Sequence, residues 1–512
     1  MSIQITNPVR IAGVEQTIGT QLSLDPSLEA DLVTRKCAIY LVIPDHGVDP
    51  VIRSALNLAT GAQITSIWTG TKAEYNAIAV KDANTQYVTD AGIYVGSSMA
   101  ASPLVPRLQM KAIAIGNSIS AQSQGRTDFS GSGYWGTDGE LMLANALAGS
   151  PMRFSRVTAT TRMDAYGVYG YSGQQLSAII PDLESQVFSQ LRTSGVVPDI
   201  IVALATVEND IASGASYSTI VTRLTWLVRE ICARFPGAVL LLCTPRPSFS
   251  NNSAGIVLVY RQVRDYMLSL DNGINIFCAR CDSYENPISP GTPLGTSGSP
   301  IYTDSSVHPN AKGAMMNARS IAAVLARISR VWKTSYQTNS TNMVLSGTGA
   351  ASGTNVSGTV PTGTTVVGSA NATSIVCTAE QPGFSMEITV PASAGPNPAD
   401  LASFNFGSLA ISGTEVSPFI IAQIVSGASN LHGLEIMVRD GATATWFYLI
   451  RNQTGNAQPD YVDGDILTLR IPPILVSSIT SGTCNMYARA LLKYQGGSCT
   501  FRVLSQGVGL VS

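Results

Sequence analysis

Between residues 108 and 332, short apolar runs alternate with longer stretches of helical spacing. That alternation restricts the fold more than any other feature of the chain. The apolar runs are 112–115, 200–204, 238–243 and 274–278; the helical stretches are 139–148, 174–191, 217–234, 256–269 and 311–328. Runs that are short and mostly apolar, separated by helices, predict βαβ units around a parallel sheet buried on both faces. In such sheets the chemistry collects at the carboxyl edge, where the strands end. The first run stops at Gly116-Asn117-Ser118, a tight turn that presents the Ser118 hydroxyl at that edge.

On either side the pattern changes. With 512 residues the chain has room for roughly three or four domains of about 150 residues. Residues 1–100 form a small accessory segment with helical spacing at 25–36 and a strand-like piece at 38–43. Residues 68–90 read as strand, short helix at 72–78, polar turn and strand. This last pattern resembles a module of bacteriophage tail and other virion proteins, which implies attachment or architecture. Residues 333–374 are dominated by Ser, Thr, Gly and Asn and carry no helical periodicity, reading as a linker or first strands. From 375 to 512 come strand-like runs at 385–390, 435–438, 445–450 and 466–471, with turn signals at Asp463-Gly464-Asp465 and Gly496-Gly497. That spacing predicts a β-sandwich or jelly roll.

Composition excludes several classes. Charged residues are 12% of the chain and the net charge is -2, which supplies no electrostatic footprint for nucleic acid and no basic face for an anionic membrane. The amino terminus lacks a basic segment followed by an apolar core, so synthesis in the host cytoplasm without export is expected. No apolar run approaches the ~18 residues of a spanning helix. Of eight cysteines, Cys278 and Cys281 form a C-x-x-C without the second pair or histidines of a zinc site. Cys484 and Cys499 could meet across a hairpin, although buried free thiols are the expectation for a chain made in the cytoplasm.

A nucleophilic serine needs a base to take its proton and donors for the oxyanion it creates. The chain has three histidines, His46, His308 and His432, and His308 alone falls in the α/β segment with Ser118. The Pro309-Asn310 next to His308 starts a helix, leaving the imidazole on the preceding loop. Gly173, in Tyr171-Ser-Gly-Gln-Gln175, sits in a turn that opens a helix, where a backbone N–H can face an anion. Asn209, in Thr206-Val-Glu-Asn-Asp210, comes after another strand and can offer its side-chain amide.

In this order, over about residues 110–330, the four stretches resemble the SGNH (GDSL-type) hydrolase family. Ser118 matches the family's nucleophile, Gly173 and Asn209 its oxyanion glycine and asparagine, and His308, followed by proline, its base. The resemblance implies a three-layer, flavodoxin-like α/β domain. Three positions depart from the pattern. Asn117 replaces the aspartate of Gly-Asp-Ser, and Val207 replaces the glycine of Gly-x-Asn-Asp. Ser305 stands where the family has aspartate three residues before the histidine, and Asp304 lies one further back. The ring of His308 then takes its orientation from Asp304 through a longer turn, from Ser305, or from a backbone carbonyl.

What the resemblance implies is acyl transfer, with no metal or organic cofactor. The expected oxyanion donors are the N–H groups of Ser118 and Gly173 and the amide of Asn209. Tyr134 or Trp135, in Gly131-Ser-Gly-Tyr-Trp-Gly136, could stack on a sugar, or serve only packing. With the tail-like segment and a carboxy-terminal β domain of a sort that often binds carbohydrate, the resemblance implies a virion esterase deacetylating bacterial surface polysaccharide beside other tail proteins. Tail proteins of this build also imply a homotrimer, without a heptad run to mark it. The alternatives are a catalytically silent tail or fibre protein that binds glycan, motivated by Val207 and Ser305, and a free lipase, for which no lid segment is visible.

Overall fold

The computed structural model describes residues 110–124, 126–129, 132–136, 139–251, 253–297, 299–303 and 307–329 of the central region. It also describes 66–70, 72–82, 85–89, 92–95, 98–101 and five short strands before residue 42. Beyond 339 it describes the strands together with 427–430, 459–465, 471 and 498.

Along the central region the elements are β1 (Met110–Asn117), α1 (Ser118–Ala121), β2 (Arg126–Phe129), β3 (Ser132–Gly136), α2 (Glu140–Leu147), β4 (Met152–Phe154) and β5 (Val168–Tyr171). Next come α3 (Leu176–Leu183), β6 (Ile200–Ala205), α4 (Glu208–Ala212), α5 (Tyr217–Arg234), β7 (Val239–Cys243), α6 (Ala254–Ser269), β8 (Ile276–Ala279) and α7 (Ala311–Ser329). Helix α3 continues through a π-turn at Glu184–Phe188 into Ser189–Ser194. Serine side chains cap the next long helices: Ser216 accepts the Thr219 N–H at 3.2 Å and Ser253 the Ile256 N–H at 3.3 Å. Such caps satisfy donors that the first turn leaves open.

The α/β expectation holds. Strands β4, β1, β6, β7 and β8 lie in that order, β5 also pairs with β1, and every pairing is parallel. β6 and β7 are buried at every residue, as two covered faces require. The chain leaves β1 toward β4 and β5 on one side and returns to β6 on the other. The end of β1 is therefore the topological switch point, where open α/β sheets keep their ligands. Strands β4 and β5 have no counterpart among the predicted runs; with three and four residues, Met-Arg-Phe and Val-Tyr-Gly-Tyr, they are too short for a periodic signal.

Gly116 is required by close approach. A Cβ there would lie 2.0 Å from Ser120 Oγ and 2.4 Å from the Ala205 carbonyl oxygen. We expect Gly116→Ala to cost about 1–3 kcal/mol by overpacking, read as a lower urea midpoint. An unchanged midpoint would show that the β1–β6 contact yields freely.

The carboxy-terminal region is built from two sheets. In one, the order is β2, β3, Trp446–Arg451, Leu431–Asp440, Thr483–Leu492, Asp400–Ala410 and Thr365–Gly368. The hairpin β2–β3 therefore leaves the central sheet and joins this one, β3 pairing in parallel with Trp446–Arg451, Tyr134 opposite Tyr448 and Trp135 opposite Leu449. Among the described residues the second sheet has nine strands, around Glu415–Ser426 and Cys499–Val511. Cys484 and Cys499 fall in different sheets, and Cys499 is a buried free thiol, as are Cys278 and Cys281. The turn signal at Asp463-Gly464-Asp465 falls on a described turn, whereas Gly496-Gly497 lies outside the described residues.

The two regions share a continuous core that runs from Met110 and Leu141 to Leu467, Leu469 and Phe501. Helix α2 is buried at all eight residues, the charged Glu140 among them. Arg319 of α7 donates through both terminal nitrogens to Asp465, at 2.8 and 2.7 Å, tying the two regions through a partly buried pair. Near the amino terminus, Ser66–Gly70 pairs in parallel with Thr85–Thr89, bridged by the helix Lys72–Ala77. Tyr75 meets Tyr87 edge-on at 5.3 Å between ring centroids. The helix expected at 25–36 lies outside the described residues.

Candidate active site

Ser118, Gly173 and Asn209 each come after the carboxyl end of a different strand, and those strands, β1, β5 and β6, are neighbours with β1 between the other two. Ser118 opens α1, where the Asn117 side chain caps the turn by accepting the Ile119 N–H at 3.0 Å. Its Oγ lies 2.9 Å from Nε2 of His308, a contact that spans 190 residues of chain. With the imidazole proton on Nδ1, the Ser118 hydroxyl donates to Nε2, the orientation a general base needs. Both side chains are half-buried, so the pair can be reached from solvent.

The chain that follows His308 is fixed by Asn310 at the start of α7. Asn310 Oδ1 accepts the N–H groups of Lys312 and Gly313 at 3.0 and 3.1 Å, opening the helix. Asn310 Nδ2 donates back to the carbonyls of Ile301 and Thr303, at 3.0 and 3.1 Å. Asn310 thereby ties Ile301 and Thr303 to the start of α7. Asp304 and Ser305 lie outside the described residues.

The second and third stretches are joined to each other. Asn209 Nδ2 donates to the Gln174 carbonyl at 2.8 Å, and Asp210 Oδ2 accepts the Leu176 N–H at 2.8 Å. Asp210 Oδ1 takes Arg223 Nη1 at 2.5 Å. Burial lifts the Asp210 carboxyl above its ordinary range, against the opposing pull of the Leu176 N–H and the Arg223 guanidinium. Gly173 is exposed and has a φ of +72°, in the left-handed region, so glycine is the residue that takes this turn without strain. An asparagine amide carries two N–H groups, and Gln174 takes one. The Val207 departure has a simple reason: its φ is -112°, which any L-residue adopts, and the side chain is buried in the core.

Tyr134 and Trp135 are placed by the backbone on β3, in the carboxy-terminal sheet rather than in a loop of the central sheet. His46 lies outside the described residues, and His432 is on the strand Leu431–Asp440. Among the described residues no group of three or more His, Cys, Asp or Glu side chains is spaced to hold a metal ion, and no helix is long and apolar enough to cross a membrane.

Beneath the site lies a polar layer the sequence did not disclose. Arg246, 1% exposed, pairs with Glu140 through Nε at 3.1 Å and through Nη2, and with Glu208 Oε1 through Nη1 at 3.0 Å. Nη1 also donates to the carbonyls of Leu204 and Thr244. Glu140 Oε1 in turn accepts Asn317 Nδ2 of α7 at 2.7 Å. The visible trace of this layer is that Glu208 and Arg246 each come within three residues of the end of an apolar strand.

Residues 65–89 match the family model of the phage tail tip domain. No curated protein matches the chain by sequence. Over the central region the chain is similar to solved structures of SGNH and GDSL-type esterases. One is a carbohydrate esterase of family 3 from Talaromyces cellulolyticus, at 18% identity over 44% of this chain and 100% of that chain, with a TM-score of 0.30. Another is an acetylxylan esterase from Geobacillus stearothermophilus, at 15% identity over 45% and 100%, also with a TM-score of 0.30. A carbohydrate-binding module in complex with β-1,4-galactotriose matches at 8% identity over 28% of this chain and 81% of that chain, with a TM-score of 0.17.

Proposed function

We propose that the protein is a serine esterase of phage tails that removes acetyl groups from bacterial surface polysaccharide. The observation that carries the chemistry is the 2.9 Å contact between Ser118 Oγ and His308 Nε2 at the switch point of the parallel sheet. His308 takes the hydroxyl proton as Oγ attacks the ester carbonyl. The N–H groups of Ser118 and Gly173 and the second N–H of the Asn209 amide hold the developing oxyanion. The protonated imidazole then gives its proton to the departing sugar hydroxyl, leaving an acetyl-serine that water hydrolyses by the same route in reverse. Asp304 steadies the imidazolium from the Nδ1 side. No step calls on a metal or organic cofactor.

The tail assignment is supported by the family match at residues 65–89. A carbohydrate ester as substrate is supported by the placement of Tyr134 and Trp135 on a strand shared with the carboxy-terminal sheet.

The test is acetate release from purified acetylated capsular polysaccharide, with p-nitrophenyl acetate as the generic ester. Asn209→Ala is expected to lower turnover by about 10²–10³-fold on both, the usual loss for one oxyanion donor. Release from neither substrate by the native protein would reject the esterase reading. Release from the generic ester alone would reject the polysaccharide.

A further inference from the structure

The starts of α1 and α4, which carry Ser118 and Asn209, are joined by a buried hydrogen bond. Asn117 Nδ2 donates to Glu208 Oε2 at 3.3 Å. The bond has a fixed polarity. Asn117 Oδ1 is already taken by the Ile119 N–H at 3.0 Å, so the amide must turn its NH₂ toward Glu208. Glu208 Oε2 also accepts the Val207 N–H at 3.1 Å, and its Oε1 faces Arg246. Asn117 and Asn317 are fully buried, Glu140 and Arg246 are 1% exposed and Glu208 8%. A cavity of about 10 Å³, lined by Glu208, Arg246, Tyr260 and Val307 among others, brings the same layer up to the neighbour of His308.

We propose that Asn117, Glu208 and Arg246 are positioning residues, and that the Asn117–Glu208 bond sets the spacing between the Ser118 nucleophile and the Asn209 amide. The proposal rests on the reading of Ser118 as nucleophile. It also accounts for asparagine where an aspartate was expected at position 117. An aspartate could still accept the Ile119 N–H, but it would set a second carboxylate against Glu208. Burial already pushes the Glu208 carboxyl up, with Arg246 pulling against it, so the pocket has no cation to spare for another negative charge.

The experiment measures hydrolysis of p-nitrophenyl acetate by the full chain and by Asn117→Asp, Glu208→Gln and the double variant. Intact sites are counted by stoichiometric labelling with a fluorophosphonate, so that kcat refers to folded protein. Asn117→Asp is expected to lower kcat about 100-fold with KM changed less than about threefold, since a carboxyl in place of the donor breaks the bond to Glu208 and sets two acidic groups against each other, moving Ser118 away from the Asn209 amide. Glu208→Gln alone is expected to lower kcat a few-fold by weakening the tie to Arg246. Added to Asn117→Asp, however, it should raise kcat about tenfold, because the amide introduced at position 208 can donate to the new carboxylate. This reversal of sign per intact site is not expected of residues that only stabilise the fold. Native activity with the same Glu208→Gln loss in both backgrounds, or with full kcat in Asn117→Asp, would overturn the inference alone. A native protein inactive on this ester and unlabelled by the fluorophosphonate would overturn the esterase reading, and the inference with it.

Discussion

Ser118→Ala is expected to lower kcat/KM on p-nitrophenyl acetate by at least about 10³-fold, leaving only what binding and the oxyanion donors supply. The substitution removes one hydroxyl from a half-buried position at the start of α1. The Asn117 cap, made by a different side chain, is untouched. Stability should therefore stay within about 0.5 kcal/mol of native, as for most substitutions away from packed or strained positions. The loss would then fall in kcat, because the covalent step is abolished while the pocket remains. A fluorophosphonate should label the native protein once and the variant not at all. Equal hydrolysis by the two proteins would mean that Ser118 is not the nucleophile, despite its 2.9 Å contact with His308.

The second large effect is on folding. Arg246→Met is expected to destabilise the central region by about 3–5 kcal/mol, the range measured when one partner of a buried ion pair is removed. Methionine can fill much of the volume, so the cost is electrostatic. Glu140 and Glu208 are left in the core without a cation, and the carbonyls of Leu204 and Thr244 lose a donor. Burial by itself would lower the Arg246 pKa; Glu140 and the neighbouring groups more than reverse this and hold it well above its ordinary value. The guanidinium is thus charged at every working pH. Combining Arg246→Met with Glu140→Gln and Glu208→Gln removes the stranded charges and should return most of the lost stability, measured by urea unfolding. A native-like midpoint for Arg246→Met alone would show that the two carboxyls accept protons at little cost.

The legible part of the molecule is the part whose signal is local. Helix α5 falls at 217–234, where the periodicity placed it, because an amphipathic repeat over 18 residues states both its length and its buried face. Strands β6 and β7 were visible as unbroken apolar runs for the same reason. Strand β5 was not, since Val-Tyr-Gly-Tyr carries neither an apolar run nor an alternation. The hairpin β2–β3 has no counterpart among the predicted strands; its pairing partner, Trp446–Arg451, lies more than 300 residues away, and no local pattern encodes such a register.

By itself, the sequence determined the α/β class of the central region and the candidate residues Ser118, Gly173, Asn209 and His308. Each is read from residue types at the end of a local pattern, and a glycine turn or a strand end is written within a few residues. Only the tertiary structure brought Ser118 Oγ to 2.9 Å from His308 Nε2, and only it placed Glu140, Arg246, Glu208 and Asn317 in one buried layer beneath them. Burial is a property of the whole packed chain. A glutamate in the first turn of a helix looks solvated in any local window until another helix and a sheet close over it.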